Sequence, residues 1–387
     1  MKLLLYHWNS YFQYDLYEIL KNASISYDVF EWKFRNKNSD EKFVDWFCKN
    51  IQLKEYDALL SVNYYPLLSQ MCEQQQVKYI AWCYDNPLNV EHIEETLGNA
   101  CNYVFVFDKI QCDNYRSRGF DTVYYQMLGV NSARLQKITV SADEKIKYSS
   151  DVSFVGNLYP SALDQLLAPL DEYTKGYLQS LMDLQEQIYG SYLFDELISD
   201  ELIEDINRQY LEKNPYTHLQ VNKEALTFAM ASGITREERI LLLNLCGNRY
   251  HTKFYSYEPC ELVKNVTFCG PIDYIQQMPK VFACTKINLN PTLRIIQTGI
   301  PQRALDIMGC GGFLLSNYQL ELVEYFEPER HMVMYESIGD AVEKIDYYLT
   351  HDTEREKIAK QGRIEVLQNH GMQECLENIF TVAGIEL

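Results

Sequence analysis

Two charged residues, Arg303 and Asp306, lie three positions apart in "QRALDIMGCGGFLLSN" (302–317), a predicted short helix followed by glycines and an apolar strand. The helix is expected to begin near Pro301, soon after Gly299, and a helix N-terminus fed by a glycine is suited to bind phosphate. Arg303 can pair bidentately with a phosphate, and the Asp306 carboxylate can accept hydrogen bonds from ribose hydroxyls. The alternative is an i,i+3 ion pair between the two side chains on a partly exposed helix.

The segment before this helix supplies further polar groups. The predicted strand "KINLNP" (286–291) carries Asn288 and Asn290, and the loop after it carries Thr292 and Thr298. Ligands of doubly wound sheets bind outside the carboxyl ends of the strands. We therefore expect these side chains to contact phosphate or sugar groups.

"YDNP" (84–87) is a second place where a strand ends at a carboxylate. Asp85 follows a buried strand and Pro87 restricts the turn, so the carboxylate would face the ligand-binding edge. In an inverting displacement Asp85 could be the general base for a hydroxyl group. The alternative is an Asx turn in which Asp85 or Asn86 caps the following helix.

Other predicted strand ends carry glycines, amides and aromatic rings. Each of these segments is also explained by simple turn geometry or by a packed surface loop. The remaining candidates are Gly156, Asn157 and Gly270 in loops where the backbone can approach a ligand, and His7, Trp8, Asn9, Asn63, Tyr64, Tyr84 and Asn86 along the edge of the first predicted sheet.

Two halves with alternating strands and helices must position these residues. Repeated βα units with nearly continuous apolar strands predict parallel sheets covered on both faces, and two such doubly wound domains would face a central cleft. The 387 residues are enough for two domains. The predicted division is an N-terminal domain 1–140, a polar linker 141–150, a second domain 151–370 with a helical insertion at 161–235, and a terminal helix 371–387 that packs back on the first domain.

Composition excludes several classes of partner. The net charge is −19 and no long Lys/Arg run offsets it, which argues against nucleic acid and against an anionic membrane surface. No apolar stretch approaches the roughly 18 residues of a membrane-spanning helix. The 11 cysteines are scattered without a C-x-x-C pair, which indicates reduced thiols and a cytoplasmic protein.

Several chemical classes lack their motifs. The sequence has no G-x-G-x-x-G after a strand, no P-loop, no H-E-x-x-H and no G-x-S-x-G. It has no D-x-D, and its seven histidines lie far apart without zinc spacing. We therefore expect no bound cofactor and no metal site.

The segment 286–317 resembles the C-terminal part of the CgeB-like (spore maturation) glycosyltransferases, which have the GT-B fold. The resemblance continues through "YFEPERHMVMYESIGDAVEKIDYYLTHDTEREKIAKQGRIEVLQNHGM" and includes "DVSFVGNLYP" (151–160) at the start of the second domain. The first half is similar to the domain commonly fused to that family, through "SVNYYP" (61–66), "YIAWCYDNP" (79–87) and "CNYVFVFDK" (101–109).

The sequence also differs from this family at three places. Asp306 stands where the family usually has Glu, which shortens the reach to a ribose. "YYQML" (124–128) lacks the histidine of a His-x-Pro-Leu-like segment. Thr298 occupies the position, eight residues before Asp306, where retaining relatives often carry an acid.

The resemblance implies a Leloir-type transferase that moves a hexosyl or N-acetylhexosaminyl group from a nucleotide-sugar co-substrate, with UDP as the expected nucleotide. A hydroxyl of a protein or glycan would accept the sugar without a metal, and the helical insertion would offer a surface for a homo-oligomer. A sugar-nucleotide epimerase of the same fold, or a catalytically degenerate scaffold or glycan-binding protein, is the alternative.

Overall fold

The computed structural model describes residues 1–88, 90–159 and 162–386. Ser161, the first residue of the predicted insertion, and Leu387, the last of the predicted terminal helix, lie outside the described residues. The chain divides into two compact units, of which the first contains 1–138, 298–309 and 364–387 and the second contains 139–297 and 310–363.

The first unit is built on a parallel sheet. Within the described residues it has six strands in the order β2-β1-β3-β4-β5-β6. The central strands β1, β3, β4 and β5 are nearly continuous buried runs, as a sheet covered on both faces requires, whereas the edge strand β2 is largely exposed. The strands are β1 (Lys2–His7), β2 (Ser26–Glu31), β3 (Ala58–Val62), β4 (Lys78–Trp82), β5 (Asn102–Val106) and β6 (Val123–Tyr125).

Helices connect these strands and cover the sheet. Asp40 and Asp108 cap two of the helices by accepting hydrogen bonds from backbone N–H groups in their first turns. The helices that precede the second unit are α1 (Tyr11–Asn22), α2 (Glu41–Asn50), α3 (Pro66–Gln75), α4 (Glu94–Leu97), α5 (Lys109–Ser117) and α6 (Ser132–Gln136), with a 3-10 turn at Leu53–Glu55.

The second unit repeats this plan with another strand order. Its sheet, again six-stranded in the described part of the chain, runs β12-β11-β10-β7-β8-β9, and the strand pairs are parallel. The strands are β7 (Ser150–Val155), β8 (Thr252–Tyr255), β9 (Thr267–Phe268), β10 (Thr285–Asn290), β11 (Leu314–Asn317) and β12 (Val333–Tyr335).

A helical region separates β7 from β8 and has its own apolar core, which includes Leu178, Phe194, Ile206 and Met230. This is the region in which the insertion 161–235 was predicted. The predicted linker 141–150 contains helix α7. The helices are α7 (Ala142–Tyr148), α8 (Leu163–Leu167), α9 (Glu172–Glu186), α10 (Phe194–Leu197), α11 (Asp200–Lys213) and α12 (Lys223–Gly247).

The C-terminal part of the chain contributes to both units. Helix α14 lies in a segment of the first unit, although the sequence predicted it within the second domain, and residues from 364 onward also count with the first unit. The helices are α13 (Met278–Cys284), α14 (Gln302–Gly309), α15 (Leu320–Tyr325), α16 (Ile338–Thr350), α17 (Asp352–Asn369) and α18 (Met372–Val382).

The prediction of two doubly wound α/β domains is confirmed by the two parallel sheets with flanking helices. In each sheet the strand order reverses at one point, between β1 and β3 in the first and between β7 and β10 in the second. Ligands of such sheets bind beside this switch point, at the carboxyl ends of the strands. Among the described residues, no helix combines the length and apolar character needed to cross a membrane.

Candidate functional site

In the first unit, the residues that follow β1, β3 and β4 meet at the switch point. The indole N–H of Trp8 donates to the carbonyl of Val62 over 2.8 Å. The Trp8 ring stacks on Tyr84, with 6.2 Å between ring centroids and 12° between planes. Trp8, Tyr84 and Asp85 are each half-buried, so this edge presents aromatic and acidic groups to solvent.

Asn63 organises the loop that carries Asp85. Its side-chain Oδ1 accepts hydrogen bonds from the backbone N–H groups of Tyr84 (3.0 Å) and Asp85 (3.3 Å). Its Nδ2 donates to the Asp85 carboxylate over 2.6 Å. The backbone φ of Asn63 is 67°, in the left-handed region that Asn tolerates better than most residues. The amide therefore holds the orientation of Asp85.

The surroundings of Asp85 favour a carboxyl group that can take up a proton. Burial raises the pKa of Asp85, while the Asn63 hydrogen bond and the nearby Lys37 ammonium act in the opposite direction. The Nζ of Lys37 lies 5.4 Å from the centroid of the Tyr65 ring. Burial lowers the pKa of Lys37, and the Asp85 carboxylate partly offsets that effect. A base with a raised pKa is better matched to proton transfer near neutral pH.

The neighbouring sequence-predicted residues have different surroundings. His7 forms hydrogen bonds with the Tyr17 hydroxyl (2.8 Å) and with the side chain of Asn9 (3.2 Å). Tyr64 is fully buried, and its hydroxyl donates to Oγ1 of Thr96 over 2.9 Å. Tyr64 therefore packs in the core of the first unit, while His7 and Asn9 belong to the loop after β1.

Asp108, which follows β5, gathers groups from several loops of the first unit. Its buried carboxylate accepts hydrogen bonds from the Asn86 side chain (3.1 Å) and from the backbone N–H of Gln111 (3.2 Å). It also accepts from the backbone N–H (3.1 Å) and the hydroxyl (3.0 Å) of Thr298. Asn86 and Thr298, predicted for different ligands, are thus connected through one carboxylate.

The loop before α14 packs tightly at the same place. A Cβ on Gly299 would lie 2.8 Å from the Phe107 carbonyl oxygen, a distance that real contacts do not reach. Asp306 is 3% exposed, and its carboxylate accepts a hydrogen bond from the Gln302 side chain over 3.0 Å. Arg303, in the first turn of α14, is half-buried.

In the second unit, the switch point is organised by a buried cation. The guanidinium of Arg239, on α12, donates to the carbonyl of Pro291 through Nε (3.0 Å) and Nη2 (2.6 Å). Its Nη1 donates to the carbonyl of Asn157 over 2.6 Å. The guanidinium also lies 5.1 Å from the centroid of the Phe154 ring and 4.9 Å from that of Tyr159. One side chain thus joins the loops that follow β7 and β10.

The amides predicted along β10 are buried. The side chain of Asn288 accepts from Ser153 (3.1 Å) and donates to the carbonyls of Phe282 (3.1 Å) and Phe313 (3.3 Å). Asn290 is also buried, and its amide donates to Oγ1 of Thr292 over 3.1 Å. Asn290 also donates to Oγ of Ser316 over 3.0 Å. Asn288 thus joins β10 to β7 and helix α13, whereas Asn290 joins β10 to β11 and to the loop that begins beyond β10.

The other predicted loops of the second unit are more open. Asn157 is exposed and accepts from the Ser256 hydroxyl over 3.4 Å. Gly156, just before it, donates its N–H to the Tyr255 carbonyl over 2.9 Å. Gly270 follows β9 with φ 74°, which favours glycine. The structure brings Gly156 and Asn157 beside the loop after β10 through Arg239. It places Gly270 after the edge strand β9, which β8 separates from β7.

A buried ion pair joins Glu238, which lies next to Arg239 in the sequence, to Arg294 in the loop after β10. Glu238 accepts from Nε of Arg294 over 3.1 Å, and both side chains are less than one-tenth exposed. The other Glu238 oxygen accepts from the hydroxyls of Tyr335 (2.8 Å) and Tyr189 (3.2 Å). The loop after β10, the end of β12 and the helical region therefore share one carboxylate.

Sequence reasoning did not assign a role to Asp108, Lys37, Glu238 or Arg239. Asp108 carries the same signal as Asp85, an acid directly after a buried strand. Glu238 and Arg239 occupy the buried stripe of α12, each four residues before a core position, Leu242 and Leu243 respectively. Charges at core positions of a helix are a usable signal, because buried charges need partners. No local sequence pattern marks Lys37 in this way.

Within residues 1–88, 90–159 and 162–386, no group of His, Cys, Asp and Glu side chains reaches the three members that could hold a metal ion.

Residues 229–381 match the family model described as "Glycosyl transferase-like". This region spans less than half of the chain and contains β10, α14 and β11. No curated protein sequence matches the chain.

Several solved structures share the fold of this chain. Sucrose-phosphate synthase from Thermosynechococcus elongatus aligns with a TM-score of 0.58 and 11% identity, over 99% of this chain and 98% of that one. HepE from Anabaena, solved with UDP and glucose, aligns with a TM-score of 0.54 and 11% identity over 99% of both chains. WaaG, a glycosyltransferase of lipopolysaccharide biosynthesis, aligns with a TM-score of 0.53 and 9% identity over 99% of this chain and 100% of that one. At these identities the likeness establishes the GT-B fold.

Proposed function

We propose that this protein is a glycosyltransferase that moves a sugar from a nucleotide-sugar donor, of the UDP type, to a hydroxyl of a protein or glycan. The observation that carries the proposal is the match of residues 229–381 to a glycosyl transferase-like family model on a GT-B fold. The complexes of HepE with UDP and with UDP-glucose support the choice of nucleotide. Membership of the CgeB-like subfamily, a bacterial origin, a cytoplasmic location and a hexosyl or N-acetylhexosaminyl donor remain predictions.

Donor contacts are proposed separately for each unit. In the second unit they are Gly156, Asn157, Asn290 and Thr292, which lie at the carboxyl ends of β7 and β10 beside the switch point, together with Gly270. Asn288 is left out, because its amide is used inside the core. The proposed donor contacts of the first unit follow the family pattern in and before α14; they are Thr298, Gly299, Arg303 and Asp306.

Arg303 and Asp306 would act on different parts of the nucleotide. The guanidinium is proposed to pair with the diphosphate and the carboxylate to accept hydrogen bonds from the ribose. When the bond between the sugar and the diphosphate breaks, negative charge develops on the leaving group. Arg303 and the N-terminal end of α14 would stabilise that charge without a metal ion.

Acceptor binding and proton removal are proposed for the edge around Asp85. Trp8 and Tyr84 offer aromatic faces, while Asn63 and the loop residues His7, Asn9 and Asn86 offer polar groups. In an inverting reaction Asp85 would take the proton of the acceptor hydroxyl as its oxygen attacks the anomeric carbon. The raised pKa of Asp85 supports this role, because the proton remains on the enzyme when the nucleoside diphosphate leaves.

Thermal unfolding with ligands tests the donor assignment. UDP or UDP-glucose should raise the Tm of the wild type, and Arg303→Ala should abolish the shift. Arg330→Ala is the matched control, because Arg330 is an exposed arginine paired with Glu327. If Arg303→Ala keeps the full shift, the assignment of the diphosphate contact is wrong.

A binding-only protein is the second candidate. The observation that favours it is Thr298, which stands where relatives often carry an acid and whose hydroxyl donates to Asp108. Such a protein would bind UDP-glucose but would neither hydrolyse nor transfer the sugar. Product analysis without an acceptor separates both candidates from an epimerase, since only an epimerase would convert the donor sugar.

A further inference from the structure

The loop that follows β10, residues 291–297, is fixed at several points by side chains of the second unit. The backbone N–H of Thr292 donates to the Asn317 side chain over 2.7 Å. The N–H of Arg294 donates to the Thr235 hydroxyl over 3.0 Å, and the Gln319 side chain donates to the carbonyl of Ile296 over 3.2 Å. The loop is therefore held from β11 on one side and from α12 on the other.

The helical region contributes the contacts of the loop's side chains. The Arg294 guanidinium donates to the carbonyls of Ile188 (3.2 Å) and Glu186 (3.4 Å), which end α9 and begin the following turn. It stacks on Tyr189, with 3.7 Å to the ring centroid. Gln297 donates to the Asp195 carboxylate, on α10, over 2.8 Å. The turn 186–190 thus surrounds the one arginine of this loop.

Glu238 connects Arg294 with two tyrosines. Its carboxylate pairs with Arg294 and accepts the hydroxyls of Tyr189 and Tyr335. The rings of these two tyrosines also contact edge to face, with 6.0 Å between centroids. A buried ion pair needs good geometry and satisfied hydrogen bonds to repay its desolvation. Here both tyrosine hydroxyls complete the hydrogen bonding of the carboxylate.

The turn itself is kept in shape by a buried amide. The side chain of Gln185 donates to the carbonyls of Ile188 (3.1 Å) and Ser191 (2.8 Å) and accepts from the N–H of Leu193 (2.7 Å). A Cβ on Gly190 would lie 2.6 Å from the Tyr318 ring, so the turn packs closely against the residue after β11. The turn 186–190 is therefore a rigid neighbour of the loop.

We propose that Glu238 and Tyr189 are positioning residues for the donor: through Arg294 they make the helical region between β7 and β8 determine the conformation of loop 291–297. The inference rests on the proposed function, in which Thr292 of this loop contacts the donor. Arg294 then links the loop to the helical region, because its guanidinium donates to Glu238 and to backbone carbonyls of the turn 186–190. The helical region is accordingly part of the donor-binding apparatus.

Two conservative substitutions separate positioning from general stability. Tyr189→Phe keeps the ring against Arg294 and removes only the hydroxyl that donates a hydrogen bond to Glu238. Glu238→Gln keeps the size of the side chain and removes its charge. Tyr210→Phe is the matched control, since it removes a buried hydroxyl that donates to the Leu166 carbonyl (2.8 Å) elsewhere in the helical region.

The first measurement is backbone hydrogen exchange of the full-length protein without ligand. We expect faster exchange in residues 291–297 for Tyr189→Phe and Glu238→Gln, with exchange in the interior of α9 unchanged and with no effect in loop 291–297 for Tyr210→Phe. Unchanged exchange of this loop in Glu238→Gln overturns the proposal, whether or not the protein binds a nucleotide.

The second measurement is the KM for UDP-glucose in donor hydrolysis, with kcat recorded in parallel. We expect KM to rise about tenfold in Glu238→Gln and about threefold in Tyr189→Phe with a smaller change in kcat, because a displaced loop weakens donor binding before it alters the chemical step. A fall in kcat with an unchanged KM in both variants would contradict the positioning role. Failure of the wild type to bind UDP or UDP-glucose overturns the proposed function and, with it, the donor part of this inference, while the exchange experiment still reports the coupling.

Discussion

The two sheets have switch points of the same kind but present different groups there. In the first unit the edge carries Trp8, Tyr84 and Asp85, half-buried side chains that include a titratable carboxyl group. In the second unit the corresponding place is organised by Arg239, which is 3% exposed and binds the carbonyls of the two flanking loops. The first edge thus displays a carboxyl group beside aromatic rings, whereas the second uses a buried charge to shape backbone loops. Under the proposed function, proton transfer would belong to the first edge and the shaping of donor-contact loops to the second.

The largest effect is expected from Asp85→Asn. If the first edge performs proton transfer, removing the carboxylate should lower the rate of sugar transfer or donor hydrolysis by about 100-fold or more. The Tm shift caused by UDP should remain, because Asp85 is not a proposed donor contact. Asp113→Asn, a substitution of an exposed acid on α5, is the control. Wild-type turnover in Asp85→Asn would show that the edge of the first unit does not perform proton transfer.

Arg239→Met tests the shaping role at the second edge. The substitution leaves the carbonyls of Asn157 and Pro291 without their donor, and we expect a loss of about 2–4 kcal/mol in the free energy of unfolding. Urea titration of both proteins measures this change. Arg330→Met, at an exposed ion pair, should change stability by no more than about 0.5 kcal/mol. A similar small change in Arg239→Met would show that the loops hold their conformation without the guanidinium.

A pair of glycine substitutions sharpens the comparison for the loop before α14. Gly299→Ala places a Cβ 2.8 Å from the Phe107 carbonyl oxygen, and we expect a loss of about 1–3 kcal/mol from this overpacking. Gly176→Ala, on an exposed face of α9, meets nothing within 4 Å and should stabilise the protein by about 0.5–1 kcal/mol. Thermal unfolding of the two variants gives the sign of each change in Tm. A rise in Tm for both variants would contradict the packing described for Gly299.

The smallest effect is expected from Lys37→Met, through the pH dependence of turnover. The Lys37 ammonium holds the pKa of Asp85 down against the effect of burial, so its removal should raise that pKa further. Because a general base acts only when deprotonated, activity falls as the pH drops through its pKa. The acid limb of the kcat/KM profile should therefore move to higher pH. A shift to lower pH would mean that another group titrates.

Much of the fold could be predicted because its signals are local. The apolar runs of β3, β4 and β5 predict buried parallel strands, and helices with one apolar face alternate with them. The candidate edge of the first unit followed from the same information, since Asp85 and Asn63 come immediately after buried strands. The number of residues between a strand and its next helix determines which groups reach that edge.

The side-chain partners could not be predicted in the same way. Asn288 and Asn290 are two residues apart on one strand, yet Asn288 bonds to Ser153 of β7, whereas Asn290 bonds to Ser316 of β11 and to Thr292 of the loop beyond. Thr298 contacts Asp108 across 190 residues of sequence, and no local pattern specifies that pairing. Glu238 stands on the buried stripe of α12, but its partners come from the turn after α9, the loop after β10 and the end of β12.

The sequence by itself determined the two α/β halves, the strand ends that carry Asp85, Asn157 and Asn290, and the helix that carries Arg303 and Asp306. Those features depend on periodicity and turn chemistry over a few residues. Only the tertiary structure decided that Asn63 orients Asp85, that Arg239 joins two loops, and that Glu238 connects the helical region to loop 291–297. Buried polar groups select partners by desolvation, and the available partners are set by which distant elements the folded core brings together.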